Sequence, residues 1–490
     1  MITAVDAVLP IISLTASALL TVPVIKTVSK SRHKTVFTAG WFLLLFVFAV
    51  STVSNLALKF YALPTDQQVL TLPFSDSPFS WLSSGFMIDG ISIYMAIIFI
   101  GLSVAVLLFS AFFVDPAERP SERYYAIMLM LTAALIGAAF SGDLLTLFIF
   151  WEAAAAGSGF LMLYRKSRTS LNAALKYLVM IILASAFVVF GLSLVYGTTG
   201  TLNFTAIRQA LMSGGDNPLL VIAFIFIVTG YAIEAAIVPF HFWLPDAYSA
   251  APASSAAFLS GLIDQGSYYV LIRVLLFILT PDLVAWPFML AVMAAFTMIV
   301  GNLFALIQTN VKRLIANICV ADVGYNLVAI TSTTAMGLQG NLYFFLIGGL
   351  TTALAFMAIG VINHYGFKTL SDFSGLGRRM PLTSLALLIA ALSFAGVPPL
   401  GGFIAKYLVF TSAIQGFVWL AIIGVIMSVV QTAYLFRLVN YMYSKKPKEE
   451  TKIREPKRLL IPIFILAGAI IVLGLFPSIA LDLLKHVAIP

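Results

Sequence analysis

Fourteen apolar stretches dominate this chain, at roughly 7–25, 36–58, 89–113, 123–141, 143–164, 170–196, 218–240, 253–279, 284–308, 311–333, 338–363, 381–415, 416–443 and 459–483. About 20 such residues in a helix cross the hydrocarbon core of a bilayer. Inside lipid every backbone polar group must be satisfied by the segment itself, so each stretch is a helix. The expected fold class is an all-α polytopic membrane protein. Composition agrees: 61% hydrophobic and 10% charged residues, with a mean hydropathy of +1.04, exclude an ordinary soluble domain and a disordered chain. The first stretch lacks a basic flank and a clean small-residue cleavage site, so it reads as a spanning helix and not a signal peptide.

The basic residues test the count. With the N-terminus outside, the cytoplasmic loops carry Lys26, Lys30, Arg32, Lys34, Arg119, Arg123, Arg165, Lys166, Arg168, Lys312, Arg313, Lys368, Arg378, Arg379 and seven more between Lys445 and Arg458. The opposite side carries only Lys59, Arg208 and Lys485. Twenty-one against three is a strong positive-inside signal, and one miscounted span would scramble it. It predicts a multi-pass membrane protein with both termini outside. The net charge of +8 is thereby a topology signal and not a nucleic-acid footprint. Two polar segments, 59–88 with Pro64, Pro73 and Pro78, and 444–458, read as solvated loops.

Two spans are interrupted. The seventh breaks at Val238-Pro239 and the twelfth at Gly396-Val397-Pro398-Pro399-Leu400-Gly401-Gly402, five spans later. Proline removes a backbone donor and clashes with the preceding turn. Paired broken helices in corresponding positions point to repeats with ion sites near the midplane. Spans 4–8 and 9–13 would be the two copies, inverted because each holds an odd number of spans. The expected organisation is 1–115 (helices 1–3), 122–280 (first inverted repeat), 284–443 (second inverted repeat) and 444–490 (cytoplasmic linker and last helix).

Eight ionisable residues fall within the spans: Glu152, Lys176, Glu234, Asp264, Arg273, Asp322, Lys406 and Arg437. Each costs roughly 2.5–3.5 kcal/mol at a helix centre on insertion scales, so such residues are functional by default. Arg437 lies near a cytoplasmic end and reads as a snorkelling side chain. Arg273 reads equally as a structural partner of Asp264 or Asp322, and Asp89 and Asp143 as outer-end caps. Glu152, Lys176, Glu234, Asp264, Asp322 and Lys406 remain as an ion or proton pathway. His241, just after the first break, suits either a proton relay or a cap for freed carbonyls. Chemistry of other kinds is unsupported. Cys319 is the one cysteine, the four histidines are scattered, and no phosphate-cradling or dinucleotide-binding glycine motif occurs.

Four motifs then carry a resemblance: Phe150-Trp151-Glu152; Val238-Pro239-Phe240-His241-Phe242-Trp243-Leu244-Pro245-Asp246-Ala247 with Ala251-Pro252; Asn310-Val311-Lys312-Arg313-Leu314-Ile315-Ala316 with Gly324-Tyr325; and Gly396-Val397-Pro398-Pro399 with Gly402-Phe403 and Lys406. Over nearly its whole length the chain resembles the antiporter-like membrane subunits shared by respiratory complex I, Mrp-type Na⁺/H⁺ antiporters and membrane-bound hydrogenases. The resemblance implies two inverted five-helix repeats, each with a broken helix, and a polar axis at mid-membrane. It makes Glu152 the helix-five acid, Lys176 a helix-six lysine and Lys406 the helix-twelve base. It also implies partners: further antiporter-like subunits, other membrane subunits and a peripheral redox module.

The departures rewrite that axis from bases toward acids. Glu234 stands where the family usually has the helix-seven lysine, Gln265 beside Asp264 where helix eight often has a base, and Asp322 where a histidine is expected. Gly348 and Thr352 occupy the usual basic positions of helix eleven. Two close carboxylates in a low-dielectric interior favour one proton held between them. The same hard oxygens suit a Na⁺ ion. The leading expectation is a subunit that moves H⁺ and/or Na⁺ in a hydrogenase-like or complex-I-like redox complex, with no cofactor of its own except a possible bound Na⁺. The alternatives are a subunit of a redox-independent Na⁺/H⁺ antiporter and a degenerate copy with a structural role.

Overall fold

The computed structural model describes residues 2–64, 68–72, 85–115, 117, 121–165, 167–213, 218–278, 286–447, 451–485 and 487. Pro73, Pro78, Arg119, Lys166 and His486 lie outside the described residues, so the structure does not test the topology count at those positions.

The chain is an all-α polytopic bundle. It runs α1 (Ala4–Val28), α2 (Lys34–Tyr61), α3 (Gly90–Phe113), α4 (Ser121–Phe140), α5 (Leu144–Met162), α6 (Arg168–Thr199), α7 (Phe204–Ser213) and α8 (Pro218–Glu234). After the first break come α9 (Trp243–Ala250), α10 (Ala253–Phe258), α11 (Asp264–Phe277), α12 (Trp286–Ile307), α13 (Val311–Thr331) and α14 (Ala335–His364). The remainder is α15 (Leu376–Arg379), α16 (Pro381–Ala395), α17 (Gly401–Gly416), α18 (Val418–Tyr443), α19 (Lys457–Leu475) and α20 (Ser478–Leu484).

Eleven of these, among the described residues, are long and apolar enough to cross a membrane: α1 to α6, α12 to α14, α18 and α19. The other three predicted spans are segmented. One is α8 and its break, one is α10 and α11 joined by a π-helical turn at Leu259–Ile263, and one is α16 and α17 around the second break. All fourteen apolar stretches are thus helical, and the departures from regular helix fall where function is expected.

Polar side chains close the helix starts. Asp89 caps α3 through the Ser92 amide, Asp143 caps α5 through the Thr146 amide, and Asn310 and Thr334 cap α13 and α14. Each satisfies a donor that lipid could not. Asp89 and Asp143 were expected as caps, and both are.

The core runs along α13 and α14. The most apolar 18-residue window of α13 is 100% buried, against 33% for α6 and α18, which face outward. Small residues let the outer helices close in. A Cβ on Gly191 of α6 would stand 2.6 Å from Ala223 O of α8, and one on Gly230 of α8 would stand 2.8 Å from Ala184 O of α6. That reciprocal notch is small-residue packing as it occurs between membrane helices.

The described parts of the two polar segments make specific contacts. Strand β1 (Leu70–Leu72) pairs antiparallel with β2 (Phe86–Ile88), which is wholly buried and leads straight into Asp89. In the linker, Glu455 accepts from the Leu382 and Thr383 amides at 3.2 and 2.6 Å, capping α16, and Ile453 N donates to Arg379 O.

Candidate functional site: a line of acids ending on a lysine

The first break begins where α8 stops at Glu234. Ala236 takes a left-handed backbone at φ 53°, and the Val238–Pro239 peptide is cis. The unwound backbone is satisfied by side chains: Thr297 Oγ1 accepts from Val238 N at 3.1 Å, and Trp243 Nε1 donates to Ile233 O at 3.0 Å. The Trp243 of the Phe-His-Phe-Trp run is therefore a splint for the broken helix.

That break delivers Glu234 to Glu152. Glu234 is buried, Glu152 half-buried, and the two carboxyls lie within hydrogen-bonding reach of each other. Trp151 Nε1 donates to Glu234 Oε2, and Ser185 Oγ donates to Glu152 Oε1. Glu234 Oε1 receives no N–H or O–H among the described residues. Two carboxyls in contact repel unless a proton or a cation sits between them, and the unfilled Glu234 oxygen has room for that bond.

From there the line continues toward the core. Asp264, the first residue after the π turn, is buried and accepts from Tyr248 OH. Asp322, also buried, lies on α13, which is buried along nearly its whole length. Gln265 and Ser260 of the same helix keep Oε1 and Oγ without a hydrogen bond, consistent with polar groups that line a path and not a packed core. Gly348 and Thr352, expected at positions where relatives carry bases, place no charge there. Gly348 lies beside the Gln265 amide, and Thr352 Oγ1 turns back to Gly348 O at 2.9 Å.

The second break ends the line. Gly396 sits at φ 73°, the Pro398–Pro399 peptide is cis, and α17 begins at Gly401. A Cβ on Gly402 would fall 1.8 Å from Ser393 O, so only glycine lets α17 restart against the end of α16. One turn on, Lys406 donates to Gln431 Oε1 at 2.5 Å and Ser428 Oγ at 3.1 Å, with its ammonium 4.7 Å from the Tyr325 ring centroid. Asp322, Thr351, Ser393 and Lys406 line a cavity of about 20 Å³. That is room for about one water.

Two expectations change. Arg273 pairs with neither Asp264 nor Asp322. It forms a bidentate ion pair with Asp89 at 2.5 and 2.7 Å, and takes Tyr269 OH at 2.6 Å and Ser92 Oγ at 2.7 Å. It ties α11 to α3 away from the acid line, because the Asp89 cap has oxygens to spare. Lys176, expected in the pathway, turns to an exposed cleft instead. Its side chain is 64% exposed and pairs with Asp246 at 2.8 Å, which also holds Arg313 at 3.0 Å. Standing two turns into α6, it reaches back toward the helix start where the acid lies. His241 is buried between Phe242 and Phe304, with its ring beside the Pro239 carbonyl freed by the break. Arg437 reaches Gln308 O at 3.0 Å, in keeping with a snorkelling role.

Residues 141–433 match the transmembrane family described as NADH:quinone oxidoreductase/Mrp antiporter, TM. This chain belongs to that family. The matched region of this NADH:quinone oxidoreductase/Mrp antiporter member contains the whole acid line from Glu152 to Lys406 and both helix breaks. The NADH-quinone oxidoreductase subunit N of Desulforamulus reducens is 32% identical over 407 residues, covering 81% of this chain and 86% of that protein. The F(420)H(2) dehydrogenase subunit N of Methanosarcina mazei is 31% identical over 435 residues, covering 86% and 88%. Among solved structures, a chain of the membrane-bound sulfane sulfur reductase, an archaeal respiratory membrane complex, superposes with a TM-score of 0.85 at 28% identity, covering 99% of this chain and 97% of that one.

Trp151, Ser185, Tyr248, Tyr325, Ser428 and Gln431 are site residues that sequence reasoning missed. Trp151 was within sight as the neighbour of Glu152, but adjacent helical residues point about 100° apart and do not face each other. Tyr325 belongs to the Gly324-Tyr325 motif, though nothing in the motif gives it a role, and Ser185, Tyr248, Ser428 and Gln431 reach the site from different helices with no mark in their local sequence.

Proposed function

We infer that this chain is an ion-translocating, antiporter-like subunit of a membrane-bound respiratory redox complex, moving H⁺ and/or Na⁺ across the cell membrane. The observation that carries the reading is the set of buried and half-buried polar groups Glu152 and Glu234, Tyr248–Asp264, and Asp322 with Lys406–Gln431, laid between two broken helices. Carboxyls accept and release protons or cations. A lysine at the end of the line stabilises negative charge arriving at Asp322 and repels a cation there. Tyrosine and glutamine supply the links between charged groups.

The membrane partners are further antiporter-like subunits and other membrane subunits, and a peripheral redox module carries the electron chemistry. Membership alongside subunit N proteins of two oxidoreductases supports a redox host over a free-standing Na⁺/H⁺ antiporter. The positive-inside count supports both termini outside, and the two breaks support a division into 1–115, 122–280, 284–443 and 444–490. His241 and Lys176 stand beside the line, His241 behind the break and Lys176 at a charged cleft. Any bound cation would be Na⁺ held at the Glu152–Glu234 pair.

The test is ion transport by the assembled complex in proteoliposomes at matched redox turnover. With Glu152→Gln and with Lys406→Ala, transported charge per electron falls at least severalfold. Unchanged stoichiometry in both variants rejects an active channel and leaves the structural reading.

A further inference from the structure

The charged cleft that took Lys176 off the line has a shape of its own. It has a volume of about 640 Å³ and is lined by Arg168 and Asn172 at the start of α6, Lys176 two turns on, Asp246 of α9 and Arg313 of α13. Three bases face one acid, which leaves the cleft two positive charges in excess. Asp246 bridges Lys176 and Arg313, and Arg168 makes no ion pair among the described residues. A surface meant only to be solvated has no need to hold Lys176 64% exposed within a membrane-spanning helix.

A second, apolar trough of about 580 Å³ adjoins the cleft, with Lys176 and Asp246 in both walls. Val179, Met180, Phe240 and Phe242 line it along α6 and the first break. Val179 is 62% and Phe242 68% exposed. A cationic cleft that opens onto an apolar trough running toward the bilayer interior matches one molecule: a head with negative charge and a hydrocarbon tail.

We propose that this composite cavity is a binding site for an anionic glycerophospholipid, its phosphate held by Arg168, Lys176 and Arg313 and an acyl chain lying in the trough over Val179 and Phe242. Charge complementarity selects the head, since basic pockets between membrane helices bind anionic lipid headgroups. The trough selects a lipid over a free phosphate, which has no use for it. The site abuts Pro239 and Trp243, so its occupant buttresses the outer side of the first broken helix.

The test uses the assembled complex, delipidated in detergent and refilled with either phosphatidylglycerol or phosphatidylcholine, with retained lipid quantified by mass spectrometry. The wild type retains phosphatidylglycerol at least fivefold over phosphatidylcholine, and the double variant R168Q/R313Q loses most of that preference. Inorganic phosphate added in millimolar excess leaves the retained phosphatidylglycerol in place, whereas its displacement by phosphate overturns the lipid assignment. Equal retention in wild type and variant also overturns it. A photocrosslinking residue in place of Val179 provides an independent readout. Capture of lipid supports the proposal, and capture of a neighbouring subunit's helix shows that a protein occupies the trough and overturns it.

Discussion

The two broken helices solve the same problem with different materials. At the first break a carboxyl pair meets, Glu152 with Glu234, held by an indole and a hydroxyl. At the second break an ammonium, Lys406, meets an amide and an aromatic face and lines a small cavity with Asp322. The first takes its left-handed turn on Ala236, the second on Gly396. The unwound backbone is repaired by a tryptophan and a threonine in one case, and by close glycine packing in the other. Backbone irregularity at membrane depth is thus portable, whereas the charge placed beside it sets what the site holds. An acid–acid pair needs a mobile proton or cation to exist at all. An acid–base neighbourhood carries its own neutralisation and works by separating the two charges.

Converting the first region into the second gives the largest expected effect. Glu234→Lys places an ammonium beside Glu152 and removes the need for a shared proton or cation. Transport per electron by the reconstituted complex changes at least tenfold, and any dependence on Na⁺ disappears. If rate and ion dependence both stay as in the wild type, the first region is passive and the contrast between the breaks has no functional meaning.

A smaller effect isolates the donors. Trp151→Phe keeps one aromatic ring but deletes the N–H that Glu234 accepts, leaving a buried carboxyl less satisfied at a cost of about 1–3 kcal/mol, apart from the packing lost with the smaller ring. Thermal unfolding of the detergent-solubilised complex shifts down accordingly. Gln431→Leu does the same to Lys406, and a shift in only one of the two variants shows that the two sites are not equally dependent on their polar partners.

The smallest effect lies in the backbone. A left-handed conformation costs an L-residue roughly 1–2 kcal/mol, part of which glycine returns in unfolded-state entropy. Exchanging the two turns, Ala236→Gly therefore gains up to about 1 kcal/mol, while Gly396→Ala loses about as much. Both are read from denaturation midpoints. Equal signs for the two exchanges contradict the account of the breaks given above.

Much of this was legible in the chain. Span number, helix breaks and the identity of the buried acids follow from rules that act locally: twenty apolar residues make a helix in lipid, proline interrupts it, and a charge within it is costly. The caps Asp89 and Asp143 follow from the same local logic. Pairings were not legible. Arg273 had two acids within its reach in sequence and took a third, because the fold sets Asp89, at the start of α3, beside the last turn of α11. Lys176 looked like a relay member by depth alone, yet depth along a helix says nothing about which way the side chain turns.

What the sequence determined by itself is the inventory: a polytopic helical membrane protein with two interrupted spans and a set of acids and bases too expensive to be incidental. Only the tertiary structure decided the partners. It joined Glu152 to Glu234, seated Lys406 on Gln431 and Tyr325, and sent Lys176 out to Asp246. The reason is physical: insertion and helix formation are set by each segment's own atoms, whereas a hydrogen bond between helices depends on rotations and register that only packing against neighbours selects.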